Sequence, residues 1–448
     1  MSIVRSIIFV ILMLGVLATL HELGHFWVAR LLKIRVFEVS LFVGPKLLSW
    51  KHNDVNFSIR LIPVGAYVRF TEVDEQGYVV ESKDPDLLVN QPRFKRLLVS
   101  VAGPLVNLLL GIFIFAMLFV FTGYTTLNVN KAMKGTQLYQ LSSEYTVGDE
   151  IRKINGRRVY TAYDLSFEID AADAGEDMIV TFKSKETGKN YDLTLKPEFK
   201  KRPMLLITTR TLSTDNEYQG WLVLEVDPEQ NNSNPILKEG DYVTKINGMS
   251  VADEGFEEFL YTITDDVIKV TYVRDGVSYE EDLVPRYVDY VTTRGISITD
   301  HKVDSPAEFF GAFGCAAKIP GSLINITVTG IKSIIAGKEK AYNLVSGPIG
   351  ITTMVNDVVK DERDTVYEKI YTLIMLSGVI SIALAYSNLL PIPGLDGIQI
   401  VLILVEMVIG RKLSEKAEGR LTVIGFVMII ALLVFAFISD ILRIIFGY

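Results

Sequence analysis

The chain has 448 residues, 49% of them hydrophobic, a mean hydropathy of +0.30 and one cysteine, Cys315. So apolar a composition excludes an ordinary soluble protein and fits membrane helices joined to soluble parts. A single cysteine excludes an intrachain disulfide and a cysteine-built metal cage. The formal charge of −8 is uneven: Tyr124–Asp300 carries 20 Lys and Arg against 31 Asp and Glu. An acidic middle without a basic stripe excludes nucleic acid as a partner.

The first apolar run, Ile3 to Leu32, imitates a signal peptide, with Arg5 ahead of its core. No small-residue cleavage site follows, so a retained first membrane span (1–32) is expected. Near its end stands His21-Glu22-Leu23-Gly24-His25, an H-E-x-x-H motif. Residues four apart share a helix face, so His21 and His25 can hold one metal ion. Glu22 beside them can reach an attacking water as general base. Two imidazoles with an open position point to Zn2+. The chain has four histidines, and two of them are here. Such groups in hydrocarbon are costly unless paired or hydrated, which marks them as functional.

Lys33–Arg96 is a connecting region (33–96) with ten basic residues. Val36–Phe42 and Phe57–Ile62 read as strands, continued by the turn-interrupted Leu61–Val68. These predict β-hairpins, either dipping into the membrane face or lying on the surface. Leu97–Thr122 has no charge and is long enough to be a second span (97–123). Gly103, Pro104 and Asn107 near its start suit close helix approach and a bond across a helix interface, so packing against the first span, near the site, stands beside direct chemistry as the use of Asn107.

From Tyr124 to about Pro285 the chain is soluble and repeats itself. Val147–Gly156 (VGDEIRKING) recurs as Glu239–Gly248 (EGDYVTKING), 92 residues on. Each copy reads as a Gly-Asp turn, an alternating strand and an Asn-Gly turn. The pattern resembles PDZ domains, here 124–208 and 209–290, which bind extended peptides by strand addition. A spacer without ligand is the alternative, since neither copy has a clear glycine-rich carboxylate-binding loop.

In 291–370, Pro306–Ala336 carries spaced apolar residues and few charges, which predicts helices lying on the membrane surface. Ser346-Gly347-Pro348-Ile349-Gly350 marks a break before the next span. A third membrane segment (371–410) ends in Asn388-Leu389-Leu390-Pro391-Ile392-Pro393-Gly394-Leu395-Asp396-Gly397. Its prolines and glycines break the helix and put Asp396 on irregular backbone in the membrane. A carboxylate there needs a partner and the two histidines need a third ligand, so His21, His25 and Asp396 with a water complete a four-coordinate site. Capping of a helix is the other use for Asp396. Leu421–Ile438 is a charge-free final span within 411–448.

Basic residues concentrate in Lys33–Arg96 and in Arg411, Lys412, Lys416 and Arg420. The positive-inside rule then puts both loops in the cytoplasm, the repeat pair and both termini outside, and His21 and Asp396 toward the cytoplasmic face. The expected fold is a polytopic α-helical membrane protein of about four spans, with a membrane-associated β-hairpin region and two small β-rich domains.

The H-E-x-x-H motif, Gly103-Pro104 with Asn107, the doubled repeat, Ser346-Gly347-Pro348 and Asn388 with Leu395-Asp396-Gly397 together resemble the bacterial site-2 proteases, intramembrane zinc metalloproteases, of the regulator-of-sigma-E protease type. The resemblance spans essentially the whole chain. Ile398 stands where relatives often have a second glycine, and Ala383 where many have asparagine. It implies one Zn2+ per chain, location in the bacterial plasma membrane, and cleavage of a substrate's membrane segment after another protease has trimmed its outer part. Implied substrates are single-pass proteins of the anti-sigma-factor type and signal-peptide remnants, with Asn388, Pro391 and Pro393 contacting substrate and the PDZ-like pair touching its outer segment. A catalytically silent membrane adaptor and a transporter are the rival readings. Zinc per purified chain discriminates them.

Overall fold

The structure, a computed structural model, describes residues 2–72, 83–132, 137–141, 143–171, 176–196, 199–211, 219–253, 255–260, 262–291, 296–337, 347–361, 365–411 and 415–446. Ser346 and Lys412, singled out above, lie outside them. The chain forms two compact units: Met1–Thr126 with Val159–Ala171 and Asp300–Tyr448, and Leu127–Arg158 with Ala172–Thr299.

The main helices are α1 (Ser2–Leu31), α2 (Arg93–Thr122), α3 (Ala162–Ala171), α4 (Phe256–Leu260), α5 (Pro306–Ala316), α6 (Ile319–Ile335), α7 (Pro348–Lys360), α8 (Val366–Leu389), α9 (Asp396–Ile409) and α10 (Glu415–Phe446). Among the described residues, five stretches are long and apolar enough to cross a membrane: Val4–Leu31, Arg93–Thr122, Pro306–Ile335, Val366–Leu389 and Val423–Ile441. Pro306–Ile335, expected on the membrane surface, is α5 and α6 taken together and is the addition to the four anticipated. The segment expected as one span over 371–410 is two helices, α8 and α9, separated at Leu390–Leu395.

α2 is the spine of the first unit. Phe115, Ala116 and Phe119 on it pack with Ala312, Cys315, Ile319 and Ile382 from α5, α6 and α8. Glycines set how close α8 comes. A Cβ on Gly111 would stand 2.4 Å from Ile382 Cγ1, and one on Gly378 would stand 3.0 Å from Phe115 Cε2.

Between α1 and α2 lie β1 (Glu38–His52) and β2 (Val55–Arg69), turned over at Asn53 and Asp54, both with positive φ as a tight hairpin turn requires. β1 is bent at Phe42 (φ 69°) and Gly44 (φ 90°). Its first half is consequently flanked on both sides: Glu38 and Leu41 lie opposite Arg69 and Ala66, and also opposite Asn56 and Ile59. Residues 66–69 are left as an outer row. Glu38 sits buried at the centre of this sheet and binds Arg60, Arg69 and Lys46 at 2.9, 3.0 and 3.3 Å. Val39 and Val55 from the sheet join Ala29, Ile34, Val36 and Val99 in a small core against α1 and α2.

The remaining strands are β3 (Tyr124–Val129), β4 (Glu150–Ile154), β5 (Arg157–Arg158), β6 (Met178–Lys183), β7 (Asn190–Leu195), β8 (Phe199–Met204), β9 (Ile207–Thr211), β10 (Trp221–Val226), β11 (Tyr242–Ile246), β12 (Met249–Ser250), β13 (Ile268–Arg274), β14 (Val277–Leu283), β15 (Arg286–Val291) and β16 (Ile298–His301). The 92-residue repeat becomes two sheets of one topology. One runs β16-β3-β4-β6-β7 with β5 on β4, and the other runs β9-β10-β11-β13-β14 with β12 on β11. In the second copy the outer strand precedes the sheet. In the first it arrives from beyond the second copy, at β16, in the stretch 291–370. The second copy is therefore inserted inside the first, and β8 pairs with β15 where the chain enters and leaves it.

The shared Gly-Asp turns have one physical logic. Gly148 and Gly240 take φ of 98° and 89°, where a side chain is strained. The aspartate after each is 1% exposed and accepts the backbone N–H three residues earlier, from Thr146 at 3.0 Å or Lys238 at 2.7 Å. Asp149 also accepts the Lys185 N–H at 2.8 Å and the Tyr191 hydroxyl, whereas Asp241 takes a two-pronged fork from Arg274. The copies preserve the carboxylate and differ in what satisfies it.

A polar seam joins α3 to α6 within the first unit. Asp164, fully buried, accepts from the N–H groups of Tyr160 and Thr161 and from Ser322 Oγ and Asn325 Nδ2. Thr329 donates to Glu168. The spacings 161, 164, 168 and 322, 325, 329 put each set on one helix face.

Burial pushes the Asp149 carboxyl up, but the Lys185 N–H, the Tyr191 hydroxyl and the Thr146 N–H together hold it below the usual carboxylate range. A depressed native pKa gives stability that is full above the unfolded-state carboxylate pKa and fades as pH falls through the native one. Asp149→Asn should therefore be less stable than wild type at neutral pH, by about 1–3 kcal/mol, and melt at a lower temperature. The gap should close on acidification, as thermal melts across pH would record. A gap independent of pH would mean that the charge contributes nothing.

Candidate metal centre

His21 and His25 sit one turn apart on the buried face of α1, both under 8% exposed. Their Nε2 atoms are 3.2 Å apart, and Asp396 Oδ2 lies 2.9 Å from the first and 3.3 Å from the second. Three ligand atoms thus converge, the one such group among the described residues. Atoms around a tetrahedral zinc with bonds of about 2.0 Å stand roughly 3.3 Å apart, so the spacing suits that ion.

The outer contacts say which ring nitrogens face inward. His25 Nδ1 is 2.7 Å from the Val99 carbonyl, which can only accept, so Nδ1 carries the proton and Nε2 presents a lone pair. Asn107 lies at His21 Nδ1, with Nδ2 at 3.4 Å and Oδ1 buried without a partner. Turning that amide over gives Oδ1 the Nδ1–H and leaves His21 Nε2 equally bare. Two lone pairs and a carboxylate then face one another with no hydrogen between them, an arrangement that a cation resolves.

Gly103 makes room for this. A Cβ there would stand 2.3 Å from His25 Nε2 and 2.6 Å from His21 Nε2. Pro104, inside α2, is buried beside it. Asp396 arrives by a turn in which Leu395 N–H bonds to the Ile392 carbonyl at 3.1 Å and Gly394 takes φ of 102°. At Gly397 a Cβ would meet the Leu389 and Leu390 carbonyls within 2.3 Å, so glycine is what lets the chain double back.

Glu22 faces a cavity of about 550 Å³ that also exposes His25, Asp396, Tyr67, Arg96 and Gln399. Its Oε2 accepts the N–H of Val68 at 2.9 Å, from the outer row of the β1–β2 sheet. Asn388 is half-buried at the end of α8, Pro391 is exposed, and Pro393 is buried where a Cβ on Gly425 would strike it. None of these three lines the cavity. Val68 and the Val99 carbonyl were invisible to sequence reasoning because they act through the backbone. Arg96 and Glu406, bonded at 2.7 Å beside the cavity, had a signal, since Glu406 is a lone charge late in an apolar helix.

A second cleft, of about 330 Å³ in the other unit, is lined by Leu205, Leu206, Ile207, Trp221 and Leu260 between β9 and α4. Leu206, in its lining, takes φ of 55°, costly for a bulky residue.

The chain matches the sequence model of Peptidase family M50 over residues 9–432. It is 26% identical over 478 residues to "Protease RseP" of Yersinia pestis, covering 99% of this chain and 100% of that one. It is similar to proteins named "Putative zinc metalloprotease" from Vibrio cholerae (27% over 462 residues) and from Clostridium acetobutylicum (26% over 437 residues), each covering 97% of both chains.

Gly103→Ala should empty the site, because the added methyl occupies the space between the imidazoles. Metal analysis of the purified variant should find little zinc. Full occupancy would show that α1 and α2 can separate without losing the ion.

Proposed function

Because this chain belongs to peptidase family M50 and is a metalloprotease held in a membrane, we propose that it hydrolyses a peptide bond in the transmembrane segment of a pre-trimmed single-pass protein. Membrane-bound anti-sigma factors and signal-peptide remnants are the substrate classes. The observation that carries this reading is the convergence of His21, His25 and Asp396 beside Glu22 at the cavity.

His21, His25 and Asp396 hold the zinc, one ion per chain. Bound there, zinc supplies Lewis acidity toward the scissile carbonyl and the attacking water. Glu22, oriented by the Val68 N–H, takes the water's proton and returns it to the leaving amine. A substrate helix has its backbone groups bonded internally and must unwind to be cut. Residues 66–69 offer the unwound stretch a strand to lie against. Asn388, at the end of α8, holds the substrate backbone on its way in.

By the loop charges, the zinc lies toward the cytoplasmic side of the bacterial plasma membrane and the repeats lie outside. The two copies act as PDZ-like domains that admit only substrates already trimmed. The cleft between β9 and α4 supports a peptide-sized contact there.

Glu22→Gln should retain zinc and lose cleavage, measured with a co-expressed anti-sigma-factor-type substrate, by a factor of roughly 100 or more. Asp396→Ala should lose zinc as well. Substantial proteolysis by the first variant would end the assignment of the base. Gly148→Val or Gly240→Val, which strains a turn, should permit cutting of untrimmed substrate while trimmed substrate is still cut. Loss of trimmed-substrate cleavage instead would make the repeats docking sites.

A further inference from the structure

α9 begins with Asp396 and carries one other charge, Glu406, in its last turns. Glu406 is 1% exposed, and its Oε2 accepts from Arg96 Nη1 of α2 at 2.7 Å. One turn beyond, Arg93 Nη2 donates to the Gly410 carbonyl at 2.6 Å, at the C-terminal cap of α9. Asp396, Gln399, Ile403 and Glu406 follow spacings of three, four and three, which place them on one face. Arg96, Val99, Gly103 and Asn107 share a face of α2 in the same way, and the last three are the groups that surround the two histidines.

We infer that Arg96 and Glu406 form a positioning pair that fixes the height of Asp396 against His21 and His25, an inference resting on the reading of those three as zinc ligands. A slip of α9 by one residue moves Asp396 by about 1.5 Å along the helix axis. Metal–ligand distances tolerate only about 0.2 Å. The Pro391–Leu395 turn behind Asp396 has backbone bonds at Ile392 and Leu395, and close contact of Gly397 with Leu389 and Leu390 and of Pro393 with Gly425 holds it further. Those contacts hold the near end of α9, and the ion pair with Arg96 fixes its far end against α2. A buried ion pair is a poor source of stability, because desolvation offsets the attraction, but it is directional and admits one register. Its place, two turns along α2 from Gly103, ties that register to the helix that lines the histidines.

The test uses the full chain in detergent with two variants, Arg96→Met/Glu406→Leu, which replaces the pair by apolar groups of similar size, and Glu406→Asp, which keeps the charge and withdraws it by one methylene. Thermal unfolding, zinc release to a chelator and kcat against KM are measured. The double variant should unfold near the wild-type temperature, release zinc about tenfold faster and lose about tenfold in kcat at unchanged KM, the size of effect that outer-contact residues have on metal sites. Mere packing would move the melting temperature and leave zinc release alone. Wild-type release and kcat in a folded double variant overturn the inference. If the double variant does not fold, Glu406→Asp decides: faster release supports the pairing, and wild-type release overturns it. A wild-type chain that takes up no zinc overturns the ligand assignment and this inference together. Zinc in the wild type with unchanged release in the variants overturns this inference alone.

Discussion

The site depends on how closely α1 and α2 approach. Gly24, inside the H-E-x-x-H motif, and Gly103, on the facing helix, have no Cβ where one would intrude. On Gly24 it would stand 2.7 Å from the Ala102 carbonyl, and on Gly103 it would stand 2.3 Å from an imidazole nitrogen. Helices in lipid gain little from burying apolar surface against each other, so close backbone packing carries the association. The same contact brings the Val99 carbonyl to His25 and Asn107 to His21. One crossing thus sets the rings, their tautomers and the space between them.

α2 then distributes that geometry. Its other side meets α8, where Ser381 Oγ donates to the Asn107 carbonyl at 2.7 Å and Gly111 and Gly378 admit close contact. α8 leads directly into the Pro391–Leu395 turn and so into Asp396. The third acidic or imidazole group reaches the histidines through a chain of contacts that begins and ends on α2. Such a frame holds buried polar groups by answering them: an imidazole by a backbone carbonyl, a carboxylate by a guanidinium, a backbone carbonyl by a hydroxyl.

Much of the site was legible because charge is rare in apolar runs. His21, Glu22, His25 and Asp396 interrupt hydrophobic stretches, and the need of each for a partner is enough to bring them together on paper. Gly103, Pro104 and Asn107 were legible as a place rather than as roles. Asn388, Pro391 and Pro393 were read from a motif, and the fold sets them off the cavity wall, Pro393 against Gly425. What escaped was carried by backbone or by tertiary register. The Val68 N–H has no sequence signature, and the doubling of Glu38–Leu41 between two neighbours depends on a bend at Phe42 and Gly44 that strand patterning does not reveal.

The repeat shows the same limit at larger scale. A 92-residue offset identifies Gly148-Asp149 with Gly240-Asp241 and thereby two equivalent sheets, but period alone assumes that the copies follow one another. The first copy's outer strand is β16, after the second copy has closed. β3, ahead of Gly148, is the counterpart of β10, whereas the counterpart of β9 lies further along the chain. Insertion also has a mechanical consequence within the first unit. α3, from the first copy, is bound to α6 through Asp164 and Glu168, both buried. Buried carboxylates answered by hydroxyls and amides lose their partners if the helices slide by a turn, so α3 and α6 move together or not at all.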